Sequence, residues 1–283
     1  MSKKYLLYIT FIVLLIVGFF SCRSVDIRTT EVKQDFNTEK GTEVLKQMYQ
    51  AHSAFLWDSI DTYSLHLTDE FYGIAGKFGN PFPKNKADFM FHAIPNTFTS
   101  KVIFQDKKWN GRVWGIQSWQ TYSSKSNVIE LDKKNDKNIE FWLPTYQYFI
   151  EIPNKIFEAD IISYAGERTF NGKKYDLVFA SWKTDNPQKD IDQYILWINQ
   201  ETHILELLHY TVRDEFQWLH ATLKYLNYSS EKGIPFPTEM EVNLFGSERK
   251  KLLHKINIDN INVNLMPRDS LILFPDLRLT GKQ

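Results

Sequence analysis

Lys174–Trp182 (KYDLVFASW), Gln193–Asn199 (QYILWIN) and His203–Tyr210 (HILELLHY) decide the fold. Successive side chains of an extended strand point to opposite faces. In the first stretch Tyr175, Leu177 and Phe179 share one face, and Val178, Ala180 and Trp182 share the other. In the second, Tyr194, Leu196 and Ile198 oppose Ile195 and Trp197; in the third, Leu205 and Leu207 oppose Ile204 and Leu208. A sheet with one face in water alternates apolar and polar residues. These strands are apolar on both. Leaving such a face in water costs about 25 cal/mol per Å², so each face needs a cover. The available covers are an N-terminal helix, the aromatic segment 137–160, a sheet curled on itself, or a ligand. A strongly curved half-barrel with an apolar interior satisfies the pattern most simply.

Working outward, further strand patterns lie at Tyr63–Leu67, Asp88–Ile94, Lys101–Gln105, Val113–Tyr122, Phe216–Tyr228, Glu239–Phe245 and His254–Val263. Turn residues such as Asn110-Gly111, Asn171-Gly172 and Asp185-Asn186-Pro187 punctuate them. The reading is mainly β (α+β): a strongly curved antiparallel half-barrel of about ten strands. An N-terminal helix within Thr42–His52 and short mid-chain helices cover its concave face. No internal repeat or linker interrupts residues 38–283, which form a single domain. Lys137–Asp160 (KNIEFWLPTYQYFIEIPNKIFEAD) contains Pro144 and Pro153, which predict short helical pieces. Those pieces are either core helices packed on the sheet or a movable cover. As a cover, Phe141, Trp142, Leu143, Tyr146 and Phe149 form the gate. The walls of the cavity beneath it are then Trp114, Ile116, Tyr175, Leu177, Phe179, Leu196 and Trp197.

The chain opens with Lys3 and Lys4, an uncharged run from Tyr5 to Phe20, then Ser21-Cys22 and an abrupt rise in polarity. A positive start, an apolar stretch and a small-residue end make a secretory signal. With the only cysteine at its end, the pattern resembles a bacterial lipoprotein signal peptide, residues 1–21. The resemblance implies a lipidated Cys22, palmitate-type acylation, and a protein held on a membrane of the cell envelope, facing the periplasm. The alternative is an uncleaved membrane anchor, since the run is near the length of a span. Residues 22–37 are polar and aperiodic and read as a flexible tether.

Composition narrows the function. Thirty-four Lys+Arg balance 34 Asp+Glu, which gives no footprint for nucleic acid. Apolar residues make up 43% of the chain and aromatic residues 15%, ample for a core. A lone cysteine excludes internal disulfides and cysteine-based zinc sites. No nucleophile-elbow, zinc-hydrolase, phosphate-loop or dinucleotide motif occurs, so neither a catalytic residue, a metal ligand nor a cofactor is expected. His52 with Asp58 or Asp61, and His66 with His92, are pairs that the fold would have to bring together. Gly73-Ile-Ala-Gly76 reads as a loop near a sheet edge, and Lys107-Lys108 as a solvated hairpin tip or a contact for membrane headgroups.

Ala165–Val178 (AGERTFNGKKYDLV) followed by Tyr194–Leu205 (YILWINQETHIL) resembles the LolA/LolB-like lipoprotein-carrier superfamily. The shared pattern is a glycine-turn-glycine strand pair, then a strand, an Asn-x-x-Thr turn and a return strand, within about Thr42 to Phe245. The resemblance implies an interior that holds an acyl chain or another hydrophobic ligand, bound without covalent chemistry. Arg112, Arg168 and Arg213 are candidates for the carriers' internal arginine. The alternative is an anchored structural subunit of an envelope complex, with a filled core and a protein partner.

Overall fold

A computed structural model describes residues 24–28, 37–125, 128–213, 215, 217–244 and 251–277. Cys22 and the signal segment lie outside the described residues. The described residues form one open, curved antiparallel sheet of thirteen strands. In chain order, helix α1 (Thr38–Ala51) precedes β1 (Tyr63–Phe71), and a short helix α2 (Gly73–Gly79) leads to β2 (Lys86–Ile94). Then come β3 (Thr99–Phe104), β4 (Val113–Gln117), β5 (Gln120–Lys125) and β6 (Val128–Leu131). Helix α3 (Lys137–Lys155) follows, and after it β7 (Ile161–Phe170), β8 (Lys173–Ser181), β9 (Gln193–Asn199), β10 (Leu205–Thr211), β11 (His220–Glu231), β12 (Ile234–Leu244) and β13 (Leu252–Val263).

The spatial order, β6-β5-β4-β3-β2-β1-β13-β12-β11-β10-β9-β8-β7, is two meanders that meet where β1 pairs with β13. The first runs out to one edge and the second returns from the other. Helix α3 connects the two edges across the inner face of the sheet.

Thirteen strands replace the ten read from the sequence, and local chemistry explains the difference. Val113–Tyr122 is two strands, because Ser118 and Trp119 both take positive φ, 50° and 63°. Positive φ at both central residues is the type I′ geometry that matches strand twist, so Gln117 faces Gln120 in the ladder. Neither turn residue is glycine or asparagine, so the break carried no signal. Strand β6 is exposed along its whole length, and β7 begins apolar and turns polar; neither gives a clean alternation.

The two prolines do not split the mid-chain segment. Helix α3 runs through both, started by the Asp136 side chain, which accepts from the Asn138 and Ile139 amides. A proline has no N–H for the carbonyl four residues earlier. At Pro144 that carbonyl belongs to Glu140, whose residue is exposed. At Pro153 it belongs to Phe149, and the Tyr225 hydroxyl donates to it at 2.8 Å. The sheet supplies the hydrogen bond that the helix lacks.

The inner face of the sheet is largely apolar. Leu65, Leu67, Phe89, Phe91, Val102, Ile116, Val178, Leu196 and Ile256 form one core with Val44, Leu45 and Met48 of α1 and with α3. On β1 and β2 the outer face is polar. On β8 to β10 it is apolar too: Tyr175, Leu177, Phe179, Ile195, Trp197 and Leu207 build a second cluster around Ile27, which is fully buried. The cover for that face is the chain's own N-terminal segment.

Residues 24–28, within the stretch read as a tether, are packed. The Val25 amide donates to the Gln217 carbonyl at 2.9 Å, and the Ile27 amide to Gln193 Oε1 at 3.2 Å. Buried Arg213 donates to the carbonyls of Val25 and Gln217, while Arg28 pairs with Asp26 and Asp185. Ile27→Ala is expected to destabilise the protein by about 2–4 kcal/mol, by emptying a site closed on all sides; denaturant unfolding measures it.

Three of the buried histidines, His52, His92 and His209, weaken the fold in acid. Burial pushes His52 and His92 down to about 4 and His209 down to about 3; Lys101 adds to the effect at His92, and His220 at His209. An unfolded chain protonates its histidines near 6.5. Between those values the unfolded state binds more protons, so stability rises with pH there. It is therefore complete above about pH 6.5 and is lost as pH falls toward 4, by roughly 1 kcal/mol per histidine per pH unit. Thermal melts from pH 7 to pH 4 are expected to show a steady fall in Tm, reduced in His92→Gln; a flat profile would contradict the burial of neutral imidazoles.

Candidate functional site

The inner face beneath α3 is the site that the sequence reading pointed to. Helix α3 buries Ile139, Trp142, Leu143, Pro144, Tyr146, Gln147 and every residue from Phe149 to Pro153. A helix buried nearly all round is a core element. Its aromatic side chains interlock with the sheet. Trp142 meets Phe71 edge-on at 5.5 Å, Tyr146 lies 5.6 Å from Phe89, and Phe149 meets Tyr210 at 5.2 Å. Phe141, Trp142, Leu143, Tyr146 and Phe149 all belong to the inner core, Phe141 only partly buried at its rim.

The wall residues divide between two faces. Ile116, Leu196 and partly buried Trp114 lie on the inner side with α3. Tyr175, Leu177, Phe179 and Trp197 lie on the outer side, under Ile27. They were grouped because every strand here is apolar in both directions, and sequence alone does not say which parity faces the helix. Pairing settles it: Leu196 is opposite Val178, and Trp197 is opposite Leu177.

A polar layer lies within the α3–sheet contact. The Tyr146 hydroxyl donates to Asp69 Oδ2 at 2.6 Å, and His254 Nδ1 is 2.8 Å from Asp69 Oδ1. Farther along the helix, the Tyr63 hydroxyl donates to Glu151 Oε1 at 2.9 Å, and the Asn96 amide donates to Glu151 Oε2 at 3.1 Å. Gln147 Nε2 reaches both the Ile94 carbonyl and Glu151. Burial, reinforced by the neighbouring carboxyls, pushes the Tyr63 and Tyr146 phenols well above their ordinary value, so both remain donors. Burial raises Glu151 as well, against the opposing charge of Lys155. Of these residues only Tyr146 was singled out beforehand, for its ring, because an isolated acid inside an apolar strand pattern reads as a solvated position.

Asp69, His254 and Tyr146 bring an acid, an imidazole and a hydroxyl within hydrogen-bond reach. In a nucleophilic triad the imidazole stands between acid and hydroxyl. Here Asp69 is the hub and accepts from the phenol directly. His254 is stacked on Phe71, 4.9 Å between ring centres. All three are buried. The cluster anchors a helix.

The other anticipated pairs do not meet. His66 lies between Asp88 and Asp259, whereas His92 bonds Ser64. His52 Nε2 accepts from the Leu205 amide. Arg213 clasps the N-terminal segment, and Arg112 and Arg168 are exposed, so no arginine of the three enters the interior. A depression of about 540 Å³ opens beside α1, lined by Asn37, Glu39, Lys40, Thr42, Glu43 and Lys46. It is a surface feature of the helix's polar side.

Solved structures superpose on this fold. A DUF1329 family protein from Desulfovibrio piger superposes with a TM-score of 0.57 at 13% identity, covering 86% of this chain and 100% of its own. A LolA superfamily protein from Nitrosomonas europaea gives 0.53 at 9% identity, over 84% and 99% of the two chains. The fold is LolA-like. An outer membrane lipoprotein-sorting protein domain from Vibrio parahaemolyticus agrees, with 0.55 at 10% identity over 83% and 97%. No family model matches the sequence, and no curated protein matches it. In this LolA-like fold α3 occupies the inner face of the curved sheet.

Tyr146→Phe removes one donor from buried Asp69 and leaves the His254 contact. Its expected cost is about 1–3 kcal/mol, read from urea unfolding, with the fold retained by circular dichroism.

Proposed function

We propose that the protein is a lipid-anchored envelope protein whose LolA-like half-barrel binds an apolar molecule against the inner face of its sheet, with α3 as the element that yields. The observation that supports this is the make-up of the α3 contact, in which Asp69, Gln147, Glu151 and Lys155 are buried beside the aromatic side chains. Burying ionisable groups costs several kcal/mol that apolar packing of equal volume does not. The helix is therefore held less firmly than its buried area implies. Behind it stands a continuous wall that includes Leu65, Leu67, Phe89, Phe91, Val102 and Ile116, suited to an acyl chain. The likeness to a lipoprotein-sorting domain and to a LolA superfamily protein supports the same class of ligand. Binding requires no cofactor and no covalent step. Lipidation at Cys22 supplies the membrane anchor, and the soluble domain faces the periplasm.

The filled inner face favours a second reading, an anchored interaction subunit that needs no ligand.

Native mass spectrometry of protein extracted in mild detergent separates the two. One lipid-sized adduct per chain is expected for the first. Tyr146→Phe, which loosens α3, is expected to take up a fatty-acid fluorophore about tenfold more strongly than the parent, because the competent state is more populated. A bare chain that excludes the fluorophore in both forms leaves the interaction subunit.

A further inference from the structure

Helix α2 is turned the wrong way round for a soluble protein. It packs on the sheet through glycine: a Cβ at Gly76 would lie 2.4 Å from the Leu253 carbonyl oxygen. Its large apolar side chains, Ile74 and Phe78, point into solvent at 90% and 82% exposure. Spaced four apart, they are neighbours on one helix face. Ordinary packing puts that face inward.

The surroundings are basic. Residues 73–86 and the adjoining β3–β4 turn, 105–112, carry Lys77, Lys84, Lys86, Lys107, Lys108 and Arg112 against the single acid Asp106. All six basic residues are exposed. The two stretches are one surface, since Phe82 packs on Phe104 and Trp114 at the base of the turn.

Val25 is held at the same end of the sheet. Pairing links β1 at Phe71 to His254, His254 to Val242, Leu244 to Ala221, and His220 to Thr211. Val25 is bonded to Gln217 in the β10–β11 turn at that end. Cys22 is three residues earlier, hence within about 10 Å of Val25 whatever the path.

We infer that α2 is a lipid-surface contact: Ile74 and Phe78 enter the interfacial region of an anionic bilayer, and the surrounding lysines and Arg112 meet its headgroups. Apolar insertion and basic attraction act together in such contacts. A short, packed N-terminal segment in place of a long tether holds this end of the sheet against the membrane. The inference depends on the lipoprotein reading only for the position of the anchor.

The test uses the chain from residue 22 with Cys22→Ser, which keeps every described residue and has no acyl group. Flotation with vesicles of phosphatidylglycerol and phosphatidylcholine is expected, weakening as salt rises, with little on phosphatidylcholine alone. Ile74→Asp/Phe78→Asp is expected to lower the bound fraction about tenfold or more at unchanged Tm, since neither side chain packs on the protein. Lys84→Glu/Lys107→Glu/Lys108→Glu is expected to remove the preference for the anionic lipid. The inference is overturned if the parent does not float, or if the double aspartate variant floats equally well. A dimer that the same variant splits would also overturn it, by assigning the face to a second copy. The adduct expected in native mass spectrometry is predicted to be unchanged by Ile74→Asp/Phe78→Asp, so interior binding and surface docking stand or fall separately.

Discussion

A sheet that is apolar on both faces over β8 to β10 must be covered twice there, and much of this architecture follows from that constraint. The inner cover is α3, laid across the sheet between its two edges, with α1 beside it. The outer cover is a segment of a few residues centred on Ile27, placed over β8 to β10 where the outer face is greasiest. Each cover is fastened by polar groups. Tyr63, Tyr146 and Tyr225 tie α3 to the sheet; Arg213 ties down the N-terminal segment. Burial of apolar area supplies the drive, and the hydrogen bonds choose the register.

Helix α3 shows how the global fold overrides a local rule. Two prolines within nineteen residues predict a break. One of the freed carbonyls is at an exposed residue, and the other finds the Tyr225 hydroxyl. The helix survives because its apolar surface is buried on nearly every side and because a strand distant in sequence completes its hydrogen bonding. The same buried polar groups give the interface a weakness that purely apolar packing would lack.

Much of this was legible beforehand. The antiparallel meander, the N-terminal helix and the two-faced strands all followed from period-two patterning and turn residues. Four of the wall residues were misplaced because Tyr175, Leu177, Phe179 and Trp197 are as apolar as the inner-facing set; only ladder pairing distinguishes the parities. The double-faced pattern therefore reports a second cover on β8 to β10, and does not by itself require a hollow. The roles of Asp69, Glu151 and His254 were not legible because their partners come from other elements. Tyr146 was marked for its ring, and its hydroxyl proved as important. Residues 24–28 looked like linker because Val25 and Ile27 are two apolar residues in a polar run, too few for periodicity to register.

The sequence by itself determined the class of fold, the apolar character of the strands and the signal-like N-terminus, since each is a property of local order along the chain. Only the tertiary structure decided which side of each strand faces α3, what covers the other side, and which acids are buried. It also decided that Ile74 and Phe78 stand in solvent. Each of these depends on contacts between residues far apart in the chain, where periodicity carries no information and the geometry of the whole sheet decides.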